Sequence, residues 1–74
     1  MQKVEIEYWD LVEYKEQTLS EIKEPLQLKK MKKCGYILYD GELINLITEL
    51  DVEDDGNTDI MVIPKSLVIK ITKI

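Results

Sequence analysis

The stretch Ile63-Pro64-Lys65-Ser66-Leu67-Val68-Ile69-Lys70-Ile71 reads as a strand, a tight turn begun by proline, and a second strand. Pro64 has a fixed φ and no N–H to give to a ladder, so it ends the pairing that Ile63 closes. The β-branched residues Val68, Ile69 and Ile71 restart one at once. A one-turn break between two short strands is the corner that a small, strongly bent β-barrel needs before its last strand.

Working outward, residues 60–63 form the strand before this corner and residues 68–74 the strand after it. Asp54-Asp55-Gly56-Asn57 is a turn, and residues 43–50 lead into it as a strand with apolar side chains at both parities. Leu43 and Ile47 fall on one face, Ile44, Leu46 and Leu50 on the other, so the strand is expected to be buried twice, by the core and by a second surface such as a helical insertion or another subunit. Asp40-Gly41 is the preferred two-residue hairpin turn, and Tyr36-Ile37-Leu38-Tyr39 before it is strongly strand-favouring. At the start of the chain Val4, Ile6 and Tyr8 alternate with Glu5 and Glu7, and Trp9, Leu11 and Val12 extend the run. Between this first strand and the second, Thr18-Leu19-Ser20-Glu21 fits a capping box, with Leu19 and Ile22 on one face and Pro25 as a stop. The expectation is a mainly β, single-domain chain: a five-stranded antiparallel barrel of the Src-homology or Sm-like kind with a short helical insertion after strand 1.

Size and charge narrow the function classes. A domain of about this length buries only roughly 60% of the surface its unfolded chain exposes. Cys34 is the single cysteine and histidine is absent, so neither a disulfide nor a Cys/His metal cluster supports the fold. Packing or association must do so, and a homo-oligomer is expected. Charged Lys3, Glu5 and Glu7 with no apolar run behind them argue against a leader, and no stretch approaches membrane-spanning length, so a cytoplasmic location is expected. The net charge of −5 divides into −4 over residues 1–24, +4 over 25–39, −8 over 40–59 and +3 over 60–74. A chain with so many carboxylates in one block is poorly suited to double-stranded DNA.

The spacing Ile63-Pro64-x-x-Leu67-Val68 resembles the turn before the last strand of Src-homology 3 domains. Leu67 stands where that family has an aromatic residue, the paired tryptophans of its third strand are missing, and only a loose Tyr8-Trp9-Asp10 recurs near the first strand. The resemblance therefore implies the fold and not the proline-rich ligand. The chain is also similar to a loose set of short phage and mobile-element proteins of unknown function. These share a Trp/Asp start, a Gly-aromatic-aliphatic strand and an Ile-Pro-Lys end. The marks correspond here to Trp9 and Asp10, to Gly35-Tyr36-Ile37-Leu38, and to Ile63-Pro64-Lys65; Asp10 follows Trp9 directly and Tyr36 stands where tryptophan is common.

Each candidate site has a plainer structural reading beside it. Asp51-x-Glu53-x-Asp55-Gly56 imitates the first half of a calcium loop, but the bidentate carboxylate would fall at Val62 inside a strand, so an acidic solvated turn is favoured. Lys29, Lys30, Lys32 and Lys33, followed by Tyr36 and Tyr39, combine cations with rings as nucleotide sites do; the alternative is an edge strand guarded by lysines. Lys65 and Ser66 at the proline turn suit a phosphate or are merely solvated. Trp9 falls opposite Val4, Ile6 and Tyr8 and reads as an exposed anchor or as second-face core, and Tyr14 is read in the same way. Cys34 has no histidine to activate it and reads as a small buried hydrophobe. No nucleophile, base and orienting group can be assembled, so catalysis is not expected, and neither is a cofactor.

The leading expectation is a non-enzymatic binding protein of phage or mobile-element type that sequesters a nucleotide immune signal. Trp9 or Tyr36 would stack on the base, while Lys33 or Lys65, with Ser66, would meet phosphate. The competing expectations are a module that blocks a basic host protein through its acidic loop and apolar face, and a structural subunit of an assembly.

Overall fold

The structure is a computed structural model that describes residues 1–51, 53 and 57–74. Five strands, β1 (Lys3–Asp10), β2 (Lys29–Asp40), β3 (Leu43–Leu50), β4 (Thr58–Pro64) and β5 (Val68–Lys73), make one antiparallel sheet in the order β4-β3-β2-β1-β5. β4 and β5 are its two hydrogen-bonded edges, so the ladder itself is not closed. A single 3₁₀ turn, Lys65–Leu67, joins those edges after Pro64, at the corner that the proline marks. The Lys65 N–H donates to the Glu42 carbonyl at 2.8 Å, which fastens the corner to the β2–β3 turn.

The core lies on the face to which β1 contributes Val4, Ile6 and Tyr8, β3 contributes Ile44 and Leu46, and β4 contributes Ile63. Met31, Ile37, Met61, Val68 and Ile71 pack around it, so every strand supplies at least one side chain. The alternation of Val4, Ile6 and Tyr8 against Glu5 and Glu7 is thus a core-facing set against a half-exposed one.

Irregularities in three ladders bend the sheet. Register shifts fall between Glu7 and Tyr8 against β5, between Ile37 and Tyr39 against β3, and between Ile47 and Glu49 against β4. Each extra residue twists its strand and reverses the parity beyond it. The last shift changes one expected face of β3: Leu50 is exposed rather than packed with Ile44 and Leu46, while Ile47, before the shift, keeps the face of Leu43 and is buried outside the main core cluster. Gly35 of β2 lies tightly against the backbone of β3. A Cβ there would overlap the Ile47 carbonyl oxygen and sit 2.9 Å from Leu46 Cγ.

The lysine cluster lies on a strand, as its edge-strand reading expects, but β2 is an inner strand of the sheet and lacks a second neighbour among the described residues only over 29–35. Residues 29–33 are strand, continuous with 34–40, because Lys29, Lys30 and Lys32 lie opposite Asp10, Trp9 and Glu7 of β1. β1 ends at Asp10, leaving Leu11 and Val12 outside, and β4 begins at Thr58. In the connection over residues 11–28 the only helical feature is a 3₁₀ turn, Leu19–Glu21. Thr18 makes no side-chain cap there, and Leu19 is 86% exposed. One turn with no packed face has too few hydrogen bonds to offset the cost of nucleation and extend into an α-helix. The connection bends at Glu16, whose φ of 57° is left-handed, and Tyr14 Oη donates to the Gln27 carbonyl at 2.9 Å. The turn residues Asp54, Asp55 and Gly56, and with them half of the calcium-like pattern, lie outside the described residues.

Candidate functional site

Trp9 sits on β1 on the face away from the core and opposite Lys30, whose Nζ lies 5.2 Å from the centre of the indole ring. The ring is half-buried, and it carries a cation over its face. Tyr36 is opposite Lys3 on one side and Ile47 on the other. Trp9 is six positions beyond Lys3 along β1, so the two rings are about 20 Å apart along the strand. Lys33 is exposed and opposite Ile6, and Cys34 is exposed rather than buried, opposite the half-exposed Glu5 of β1. Lys65 Nζ lies 2.6 Å from Asp40 Oδ1, an ion pair that ties the corner to the end of β2, with Ser66 exposed beside it. On one chain, then, Trp9 and Tyr36 are on one strand pair but well separated, and Lys65 is already matched by a carboxylate. Asp40, as the partner of Lys65, was not visible in sequence, because nothing in a residue 25 positions away signals such a contact.

The sheet brings together a different set. Outward-facing pairs in β3 and β4 are Leu43 with Pro64, Asn45 with Val62, and Ile47 with Ile60; Tyr39 of β2 lies opposite Asn45 and Tyr36 opposite Ile47. These side chains share the face turned away from the core. Ile47 is buried at its centre, while Leu43 is 54% exposed, Val62 53%, Ile60 46% and Tyr39 67%. The result is an apolar surface three strands wide. Its signal in sequence was the double-faced pattern of residues 43–50, which asks for a second covering.

Above Tyr36 and Ile47 the sheet divides. β2 pairs with β3 only from Tyr36 onward, so over residues 29–35 its second edge is unpaired among the described residues. A notch of about 280 Å³ opens there, with Gly35 and Tyr36 on one side, Ile47 and Leu50 on the other, and Lys3 and Glu49 at its rim. The β1–β2 arm flanking it bears Lys29, Lys30, Lys32 and Lys33; the β3–β4 hairpin opposite bears Glu49, Asp51, Glu53 and Asp59. Glu49 and Asp59 are direct cross-strand neighbours, like charges facing each other. Among the described residues the ion pairs are Lys32 with Glu5 at 3.8 Å and Lys65 with Asp40, so none joins the lysine arm to the acidic hairpin.

One group on the core side is electrostatically perturbed. Burial pushes the Tyr8 phenol up from its ordinary value of 10.0, and the nearby Asp10 carboxylate adds to the shift. Its hydroxyl reaches only the Met61 sulfur, 3.9 Å away, a weak acceptor that does little to favour either form. No helix among the described residues is long and apolar enough to cross a membrane. Comparison with protein-family models, with curated proteins and with solved structures finds no match to this chain.

Proposed function

We propose that this chain is a non-enzymatic protein-binding module, of the phage or mobile-element type that its sequence resembles, built on a rolled small barrel of the Src-homology or Sm-like kind. The strand order, the long connection after β1 and the proline-started 3₁₀ corner before β5 support that barrel. The observation that carries the binding reading is the exposed apolar surface around Ile47. Isolated apolar side chains on a surface are ordinary, but Leu43, Tyr36, Tyr39, Ile60 and Val62 are neighbours in register around a buried centre. A protein surface, unlike a small polar metabolite, offers apolar area on that scale.

The test is Val62→Asp, a change at an outward position that leaves the core untouched. The variant keeps the wild-type circular dichroism and loses the protein partner that the wild type retains when purified from its host. An unchanged partner in the variant would refute the surface.

A second reading, sequestration of a nucleotide signal between copies, is favoured by the Trp9–Lys30 stack, which already pairs a ring with a cation. In it Lys65 exchanges Asp40 for phosphate, and Trp9 and Tyr36 serve one ligand from different copies. Lys65→Ala and Trp9→Ala then each weaken retention of a nucleotide; equal retention by both variants removes this reading.

A further inference from the structure

The notch between the two hairpins is positive on one flank, negative on the other and apolar at its floor, and the object that complements such a surface has the same features in reverse. We propose that its occupant is a second copy of this chain, related by a two-fold axis, with the acidic β3–β4 hairpin of each copy against the lysine-bearing open edge of β2 in the other. The proposal rests on the protein-binding reading above and names the partner of that same surface.

Three observations converge on it. In a two-fold contact, whatever patch of one copy meets a second patch of its mate is met reciprocally, so a bipolar surface forms its charge contacts twice. Among the described residues no ion pair joins the lysine arm, whose Lys32 meets Glu5 and whose Lys30 lies over Trp9, to the acidic hairpin, and Glu49 faces Asp59 across the ladder without a cation between them. An incoming lysine relieves that repulsion. Between the charged flanks, Tyr36, Ile47 and Leu50 line the notch and Ile60 adjoins it, giving the apolar centre with a charged rim that protein interfaces have. The lysines also explain why copies pair in this way and not β2 against β2: a lysine edge laid on its own mate repels itself. A second copy further relieves the small burial available to 74 residues.

The experiment is charge reversal with compensation, read by sedimentation. Lys30→Glu with Lys33→Glu makes the arm acidic, and Glu49→Lys with Glu53→Lys makes the hairpin basic. Wild type sediments as a dimer whose association weakens with salt. Each reversed variant associates at least about tenfold more weakly, as loss of facing charges in a contact implies. Mixing the two reversed variants restores the dimer, since in the mixed pair each acidic arm meets a basic hairpin and each basic arm meets an acidic one. Circular dichroism on each variant separates loss of association from loss of fold. A dimer indifferent to both reversals, or a mixture that stays monomeric, overturns the proposal. So does a monomeric wild type; if Val62→Asp still abolishes capture of another protein in that case, the binding surface stands and only its partner was wrong, and if it does not, both fall.

Discussion

Gly35 shows how one residue decides the path of two strands. A methyl group there has no space, because the obstacle is the Ile47 carbonyl, a backbone atom that cannot rotate away, with the Leu46 side chain behind it. Gly35→Ala is predicted to destabilise the fold by about 1–3 kcal/mol, the range for overpacking a filled site, in urea titrations; an unchanged midpoint would mean that the strands do not cross so closely. Tyr8 gives the pH response. Its folded pKa lies above its unfolded value, so its contribution to stability is intact below pH 10.0 and is lost as pH rises through that value toward the folded one. Tyr8→Phe is therefore predicted to lose stability less steeply than wild type above pH 10, and parallel curves would contradict the burial. At this scale the sequence was a partial guide. Pro64 announced its own role because proline's constraint is local, whereas the Lys65–Asp40 pair and the crowding at Gly35 depend on chain segments that meet only after folding.

The elements were legible where the alternation of apolar and polar residues was clean. β1, the Asp40-Gly41 turn and the strand before Pro64 follow from period-two patterns and turn chemistry. The lysine stretch of β2 was legible only as an edge strand guarded by charge, and its neighbours were not, since lysine has little strand preference of its own. A signal was nevertheless present in the matching charges of β1: Asp10 and Glu7 lie opposite Lys29 and Lys32. The face of Leu50 was read on a strict alternation that the shift beside Glu49 breaks. The same ladder yields a prediction. With Glu49 opposite Asp59, Glu49→Lys replaces a repulsion by a cross-strand ion pair and raises stability by about 0.2–1 kcal/mol. Measured in the Val62→Asp background, where the apolar surface no longer supports association, the gain appears as a higher denaturant midpoint; a lower one would contradict the register.

The whole molecule is far from spherical. Its radius of gyration is 16.0 Å with extents of 53 × 24 × 20 Å, whereas a compact chain of this length has a radius of about 11 Å. The connection over residues 11–28 contributes no buried side chain, so it extends the molecule without stabilising its core. Replacing residues 12–27 by a short glycine-serine turn is predicted to leave the sheet folded and to lower the radius seen by X-ray scattering, in the Val62→Asp background that keeps copies apart. A collapse of the sheet would assign the connection a packing role that its exposure denies. At this scale the sequence conveyed a small all-antiparallel sheet and a need for a second covering, but not what provides it. A partner leaves only an absence of polar residues where it docks, and Tyr36, Tyr39, Ile60 and Val62 become one surface only when three strands align.

The central claim is that this surface holds a protein. Native mass spectrometry of the chain purified from its host, beside the Val62→Asp variant, tests it most directly. The account predicts a protein partner, a second copy or another chain, on the wild type and a bare chain in the variant. A retained mass of nucleotide size without a protein partner, or a partner kept equally by both, would contradict it.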